Sequence, residues 1–133
     1  MKLTVKSEYA LLALVHLARC KPGMFVTVEA IAKAQGIPAK FLEQLMLALK
    51  RARHVSSVKG QRGGYRLAVP ASKITLADVI RLFDGALAPT ESVSTYFYEP
   101  TPIEKEKGLV QVFRTVRNMV AKLLERTTIA DVA

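Results

Sequence analysis

Apolar residues recur at helical spacing along most of the chain, and two such periods meet between residues 28 and 51, VEAIAKAQGIPAKFLEQLMLALKR. Val28, Ile31 and Ala32 share one face of a first helix, and Phe41, Leu42, Leu45 and Leu49 share one face of a second. Gly36 falls between them, where a sharp turn with positive φ is cheap only for glycine. Pro38 suits the first turn of the next helix, where no backbone N–H is needed. Ala32, one turn before Gly36, lets the two helices approach closely. The spacing predicts a helix-turn-helix. Taken alone, the same residues also fit an ordinary helical hairpin in an all-α core.

The flanking pattern adds further elements. Residues 5 to 20 predict a first helix, with Tyr9, Leu12, Val15 and Ala18 in one stripe and Leu11 and Leu14 beside it. Thr4 or Ser7 is placed to cap its start, and Gly23 follows its end. Phe25-Val26 fits a short strand, Thr27 an N-cap, and Glu29 the favourable first turn of the next helix. The second helix of the pair is expected from about Ala39 to Ala52. From residue 54 the period changes to that of strands: Val55, Val58, Tyr65, Leu67 and Val69 flank KGQRGG, which reads as a hairpin tip. A helix-turn-helix followed directly by a basic-tipped hairpin is a winged helix.

Thr75 then opens another helix, with Asp78 three residues on as a capping-box variant. Leu76, Val79, Ile80 and Phe83 form its apolar side, and Gly85 stops it. Residues 86 to 107 hold three prolines and no sustained period, and read as a long loop. A last helix is expected from about Leu109 to Arg126. Leu109, Phe113, Val116, Val120 and Leu123 step by 4, 3, 4, 3, an a/d seam that Val112, Met119 and Leu124 widen. Such a helix, about 27 Å long, needs an apolar partner: its twin in a homodimer, or its own domain.

Charge sharpens this picture. The net charge is +9, and residues 1 to 70 carry all of it, with twelve Lys/Arg against Glu8, Glu29 and Glu43. Residues 71 to 133 balance eight cations with eight acids. The half that holds the helix-turn-helix is therefore suited to a polyanion. The 133 residues are enough for one modest domain with an appendage, and half of them are hydrophobic. The single cysteine, Cys20, excludes an internal disulfide and fits a reducing, cytoplasmic setting. With only His16 and His54 beside it, a metal cage within one chain is not expected. His16 and Cys20 are four apart on one helix face, and packing or solvent exposure accounts for both. The N-terminal apolar run is interrupted by His16 and Arg19 and is too short for a bilayer, so it reads as a soluble helix rather than a signal peptide.

On the solvent side of the second helix of the pair lie Lys40, Glu43, Gln44 and Leu47, placed for a major groove. Gln44 can pair with adenine, Lys40 with guanine or phosphate, and Glu43 with the cytosine amino group. Lys59 and Arg62 at the hairpin tip reach phosphates or an adjacent minor groove. The glycines there are not a nucleotide loop, since GxxxxGK[ST] and its strand–loop–helix context are absent. No acid, base and nucleophile converge, so an enzyme is not expected.

The segments SEYALLALVHLA, GIPAKFLEQLMLALKRA and VKGQRGGYRLAVPASKITLADVI resemble the IscR/NsrR/CymR-type (Rrf-two-type) winged-helix repressors, over about residues 1 to 85. The resemblance implies a homodimer binding an imperfect palindrome in bacterial promoters. By position it implies DNA contacts by Ala39, Lys40, Glu43 and Gln44 in the recognition helix and by Lys59, Gln61 and Arg62 in the wing. Cluster-bearing members hold an iron–sulfur cluster on cysteines in the region of residues 86 to 107, where this chain has none. Its oxygen donors there, Glu91, Tyr96, Tyr98 and Glu99, carry no ligand pattern.

The expectation is thus a mainly α protein with a small β-hairpin wing. Residues 1–85 form the DNA-binding domain, 86–107 a loop that takes a small-molecule or protein effector, and 108–133 a dimerisation helix and tail. The function expected is repression at duplex DNA, with no cofactor, no metal and no membrane. Two rivals remain: a regulator whose input is a docked protein, and an RNA-binding winged helix.

Overall fold

The computed structural model of the protein describes residues 1–61 and 63–133, and Arg62 lies outside the described residues. Helix α1 (Val5–Arg19) is followed by α2 (Val28–Gln35) and α3 (Ala39–Arg51). Strands β1 (Val55–Val58) and β2 (Gly64–Leu67) form an antiparallel hairpin in the register Val55 to Leu67 and Val58 to Gly64. After a short 3-10 turn come α4 (Leu76–Asp84), α5 (Lys107–Arg126) and α6 (Ile129–Val132). This is a mainly helical winged helix-turn-helix, the fold class the sequence predicts.

Local chemistry sets the helix starts. Thr4 caps α1 by accepting from the Ser7 backbone N–H, and Thr27 caps α2 by accepting from Ala30 at 3.1 Å. Thr75 and Asp78 form a reciprocal capping box at α4, with bonds of 3.0 and 3.1 Å. Gly36 ends α2 at φ 68°, a left-handed conformation that turns the chain into α3.

The core is built around α1, which touches α2, α3, α4, α6 and β2. Its deepest residues are Ser7, Ala10, Ala13, Leu14 and Leu17. The expected stripe of Tyr9, Leu12, Val15 and Ala18 is off-centre: Leu12 is exposed, and the other three pack half-buried around the core. Neighbouring elements lie against the line of small residues because a methyl or hydroxymethyl side chain admits the closest approach. Ile31, Leu42, Met46 and Leu49 from the helix-turn-helix complete the buried cluster, with Val55, Ile74 and Val79. The Tyr9 and Phe41 rings meet edge to face at 5.7 Å, tying α1 to α3.

The C-terminal segment returns to this core. The Leu76 N–H donates to Thr127 and the Ile129 N–H donates to Ile74, each at 2.9 Å. Ile129 is fully buried in the same core cluster as α1 and the helix-turn-helix. Thr128 and Asp131 repeat the capping box of α4 at the start of α6. The far end of α5 is thereby fixed to the head of the molecule.

Residues 86–107 are not featureless. Short 3-10 helices form at Glu91–Val93 and Pro102–Lys105, both packed on α5. The Thr101 hydroxyl donates to Ser92 Oγ at 2.6 Å and ties the two together.

Candidate nucleic-acid interface

Helix α3 presents two opposite faces. Leu42, Leu45, Met46 and Leu49 are buried beneath it, while Lys40, Glu43 and Gln44 are exposed and Ala39 is half-buried at its start. Leu47 lies exposed on the same outer side. The start of α3 has no side-chain cap and no acid in its first turn, unlike the threonine-capped starts of α1, α2 and α4. Pro38 and Lys40 are exposed at this end, where the positive end of the helix dipole favours a phosphate oxygen. Sequence reasoning missed this feature, although Pro38, which offers no capping oxygen, is its signal.

The wing is held rigidly against the helix-turn-helix. Val26 and Tyr65 exchange two backbone hydrogen bonds, of 2.8 and 2.7 Å, so β2 is fastened one residue before the Thr27 cap of α2. Gly64 makes this contact sterically possible, since a Cβ there would lie 2.3 Å from the Val26 carbonyl oxygen. A Cβ on Gly63 would likewise lie 2.3 Å from the Val58 carbonyl oxygen. Lys59 and Gln61 sit exposed at the tip, while the contact expected of Arg62 falls outside the described residues. The Tyr65 phenol is pushed above its usual pKa by burial, with a smaller contribution from the negative charge of Glu43.

The basic residues fall into two groups. Arg66 is structural, with its guanidinium 4.5 Å from the centre of the Phe25 ring and donating to the Gly23 carbonyl. Lys40, Lys50, Arg51, Arg53 and Lys59 are exposed and, among the described residues, form no ion pair. The ion pair among the described residues, Arg81 with Glu125 at 2.6 Å, lies in the other half of the chain. An unpaired cationic surface around an outward helix and a fixed wing is chemically suited to a phosphate backbone.

Helix α5 contrasts with the other long helices in having no buried residue. Of the residues expected in its seam, Leu109, Val116 and Leu123 are exposed, while Phe113 and Val120 are half-buried against their own chain. Val112 and Met119, which the sequence placed at the margin, are 58% and 69% exposed. Leu124 turns inward onto Ala77, Ile80 and Leu87.

This fold and surface define a winged-helix DNA-binding regulator. The chain matches the family described as Rrf2, iron-dependent transcriptional regulator, over residues 3–133. It is 39% identical over 136 residues to a Mycobacterium tuberculosis protein named as an HTH-type transcriptional regulator, covering all of this chain and 81% of that one. It is 29% identical to the HTH-type transcriptional regulator CymR of Bacillus subtilis, covering all of this chain and 90% of the relative. The solved structure of CymR, titled the global cysteine regulator of B. subtilis, superposes with a TM-score of 0.81 at 28% identity, covering 100% of this chain and 96% of that one. The IscR of T. potens superposes with a TM-score of 0.75 at 29% identity over 99% of this chain and 85% of its own. The chain belongs to the Rrf2 family of transcriptional regulators, and it is a DNA-binding regulator rather than an enzyme.

The family's iron chemistry does not fit the residues of this chain. No group of three or more His, Cys, Asp or Glu side chains is placed to hold a metal among the described residues. Cys20 lines an open cleft of about 370 Å³ between the end of α1 and β2, with none of residues 86–107 in its walls. In the loop itself the Tyr98 hydroxyl donates to Glu104 at 2.6 Å. That bond to a carboxylate raises the phenol pKa and disfavours the phenolate a metal would need.

Proposed function

We propose that the protein acts as a homodimeric repressor that reads an imperfect palindrome in duplex DNA. The observation that carries this reading is the exposed apolar stripe of α5 on a chain whose other long helices bury their apolar faces. Leaving Leu109, Val112, Val116, Met119 and Leu123 in water forgoes about 1.5–3 kcal/mol for each side chain that a partner helix would cover. A two-fold axis along α5 sets two copies of α3 and the wing about one DNA turn apart. In this arrangement Ala39, Lys40, Glu43 and Gln44 face base edges, and Lys59, Gln61 and Arg62 hold the flanking backbone or minor groove. Glu43 contributes discrimination more than affinity, because it repels every phosphate and accepts only from an amino group.

The test combines sedimentation with binding to sequences selected from random duplex DNA. A dimer that prefers a palindrome over its half-site, and duplex DNA over duplex RNA at equal salt, supports the reading. Lys59→Ala should lower the slope of log affinity against log salt by about 0.9, whereas Glu43→Ala should narrow the gap between selected and random sequences. A monomer that binds the half-site as tightly as the palindrome would reject it.

The regulatory input is proposed to enter through residues 86–107. Tyr96, Phe97 and Tyr98 are 70%, 45% and 57% exposed there, on a loop packed against α5. A small molecule or a docked protein that prefers one arrangement of this loop would shift the spacing of the two heads.

A further inference from the structure

Helix α3 ends in a backbone motif that normally calls for glycine. The Arg53 N–H donates to the Lys50 carbonyl at 2.9 Å, and the His54 N–H donates to the Leu49 carbonyl at 3.0 Å. This pair of bonds is a Schellman motif with Arg53 at its left-handed position. Arg53 has φ 66°, and among the described residues it is the one non-glycine with positive φ. A side chain at such an angle brings Cβ against the following carbonyl, a strain that glycine avoids.

The Arg53 side chain is exposed and returns no polar contact to the fold, neither hydrogen bond nor ion pair, among the described residues. Lys50 and Arg51 already place two cations in the last turn of α3, enough to complement the negative end of its dipole. Arg53 sits where the recognition helix hands over to β1, whose four residues lead to the wing tip at Lys59. The C-terminal end of a recognition helix borders the backbone flanking the groove that the helix occupies.

We infer that Arg53 is a DNA-backbone contact, an arginine held at a glycine position so that its guanidinium grips a phosphate between the sites of the recognition helix and the wing. Arginine suits this role because its planar fork can take two phosphate oxygens at once. The inference rests on the DNA-binding role of the chain and adds a contact to it.

The full-length protein, its Arg53→Gly variant and its Arg53→Lys variant test this on one selected duplex across a salt series, with thermal unfolding of each. Arg53→Gly should raise Tm by about 3–6 °C through relief of the left-handed strain. It should also weaken DNA binding several-fold and reduce the salt slope by about 0.9. Arg53→Lys should keep the slope and the strained Tm. A Tm that falls in Arg53→Gly would show that the arginine serves the helix end, and unchanged affinity with unchanged slope would remove the contact. Either result overturns the inference. If the wild-type protein binds no duplex at all, the DNA-binding role fails with it, an outcome distinct from wild-type binding that Arg53→Gly leaves intact.

Discussion

Helices α1 and α5 look alike as strings of letters. Each is long, carries leucine and valine at helical spacing, and is dotted with cations. In the fold they are opposites. Helix α1 buries five residues and meets five other elements, so its apolar surface is satisfied within one chain. Helix α5 buries none, and its most exposed apolar residues, Val112 and Met119, lie away from the side that meets α4 and the 86–107 loop. The lesson concerns residue size. The buried line of α1 runs through Ser7, Ala10 and Ala13, which let neighbours close in from several sides. Helix α5 has large side chains on the outside and one flank against its own chain, so a closed core forms on that flank alone.

The sharpest way to break this contrast is to charge the outer stripe of α5. Val112→Asp with Met119→Asp should give a folded monomer, with circular dichroism close to wild type. Its affinity for the selected palindrome should fall to the non-specific level, about 10³-fold or more. Phe113→Asp with Val120→Asp should also prevent dimerisation, but it should lower monomer stability as well, since these two residues are half-buried against their own chain. Sedimentation and urea unfolding of both pairs separate the outer stripe from the inner flank. Equal loss of stability in the two pairs would erase the distinction.

The joint between the two regions comes next in size. Ile129 is fully buried in the core around α1 and the helix-turn-helix although it follows α5 in sequence. Ile129→Ala should cost about 2–4 kcal/mol in denaturant unfolding. It should also loosen the fixed angle between α5 and the head, so that palindromes with altered half-site spacing are bound less selectively. A loss below about 1 kcal/mol, less than truncating a buried isoleucine to alanine ordinarily costs, would mean that α6 is a loosely held tail.

The smallest expected effect is a pH dependence confined to the head. Burial lowers the pKa of His54, at the start of the wing, against a weaker upward pull from the Asp78 carboxylate. The unfolded chain therefore binds this proton more readily than the folded one. The contribution of His54 to stability is fully present above its unfolded pKa and declines as pH falls below about 6.5. Unfolding free energies of the wild type and His54→Gln, compared at about pH 7.5 and about pH 5.5 on either side of that value, should show a smaller acid-side loss in the variant. Parallel losses would assign the slope to other groups. The α5 stripe holds no histidine, so the acid-side change should leave dimerisation of the folded protein alone.

Much of the winged helix-turn-helix was legible in the sequence because its determinants are local. The Thr27 cap, the turn at Gly36, the Thr75–Asp78 capping box and the two strands around KGQRGG each follow from a few neighbouring residues. The outward position of Lys40, Glu43 and Gln44 follows from helical period once Leu42, Leu45 and Leu49 are placed inside. The +9 charge of the first 70 residues points to a polyanion whatever the fold. The same period puts Leu109, Val116 and Leu123 on one face of the last helix, but it does not tell which flank of that face meets the rest of the chain.

Tertiary structure decided whatever depends on residues far apart in sequence. Which side of α1 is deepest follows from five elements closing around it, and hydrophobicity weighted by side-chain size mis-centres that face. The clamp of Val26 on Tyr65 joins distant parts of the chain, and its need for Gly64 appears only where two backbones come so close that a Cβ would lie 2.3 Å from a carbonyl oxygen. The return of Ile129 to Ile74 adds a core residue that no local pattern announces. The positive φ of Arg53 is hidden for a related reason: arginine ordinarily signals a continuing helix, and the left-handed turn shows only in the bonds that close it back onto Lys50 and Leu49. Local periodicity determines which elements form and which residues can face out, whereas the close approach of distant backbones determines which of those faces are used up within the chain and which are left exposed.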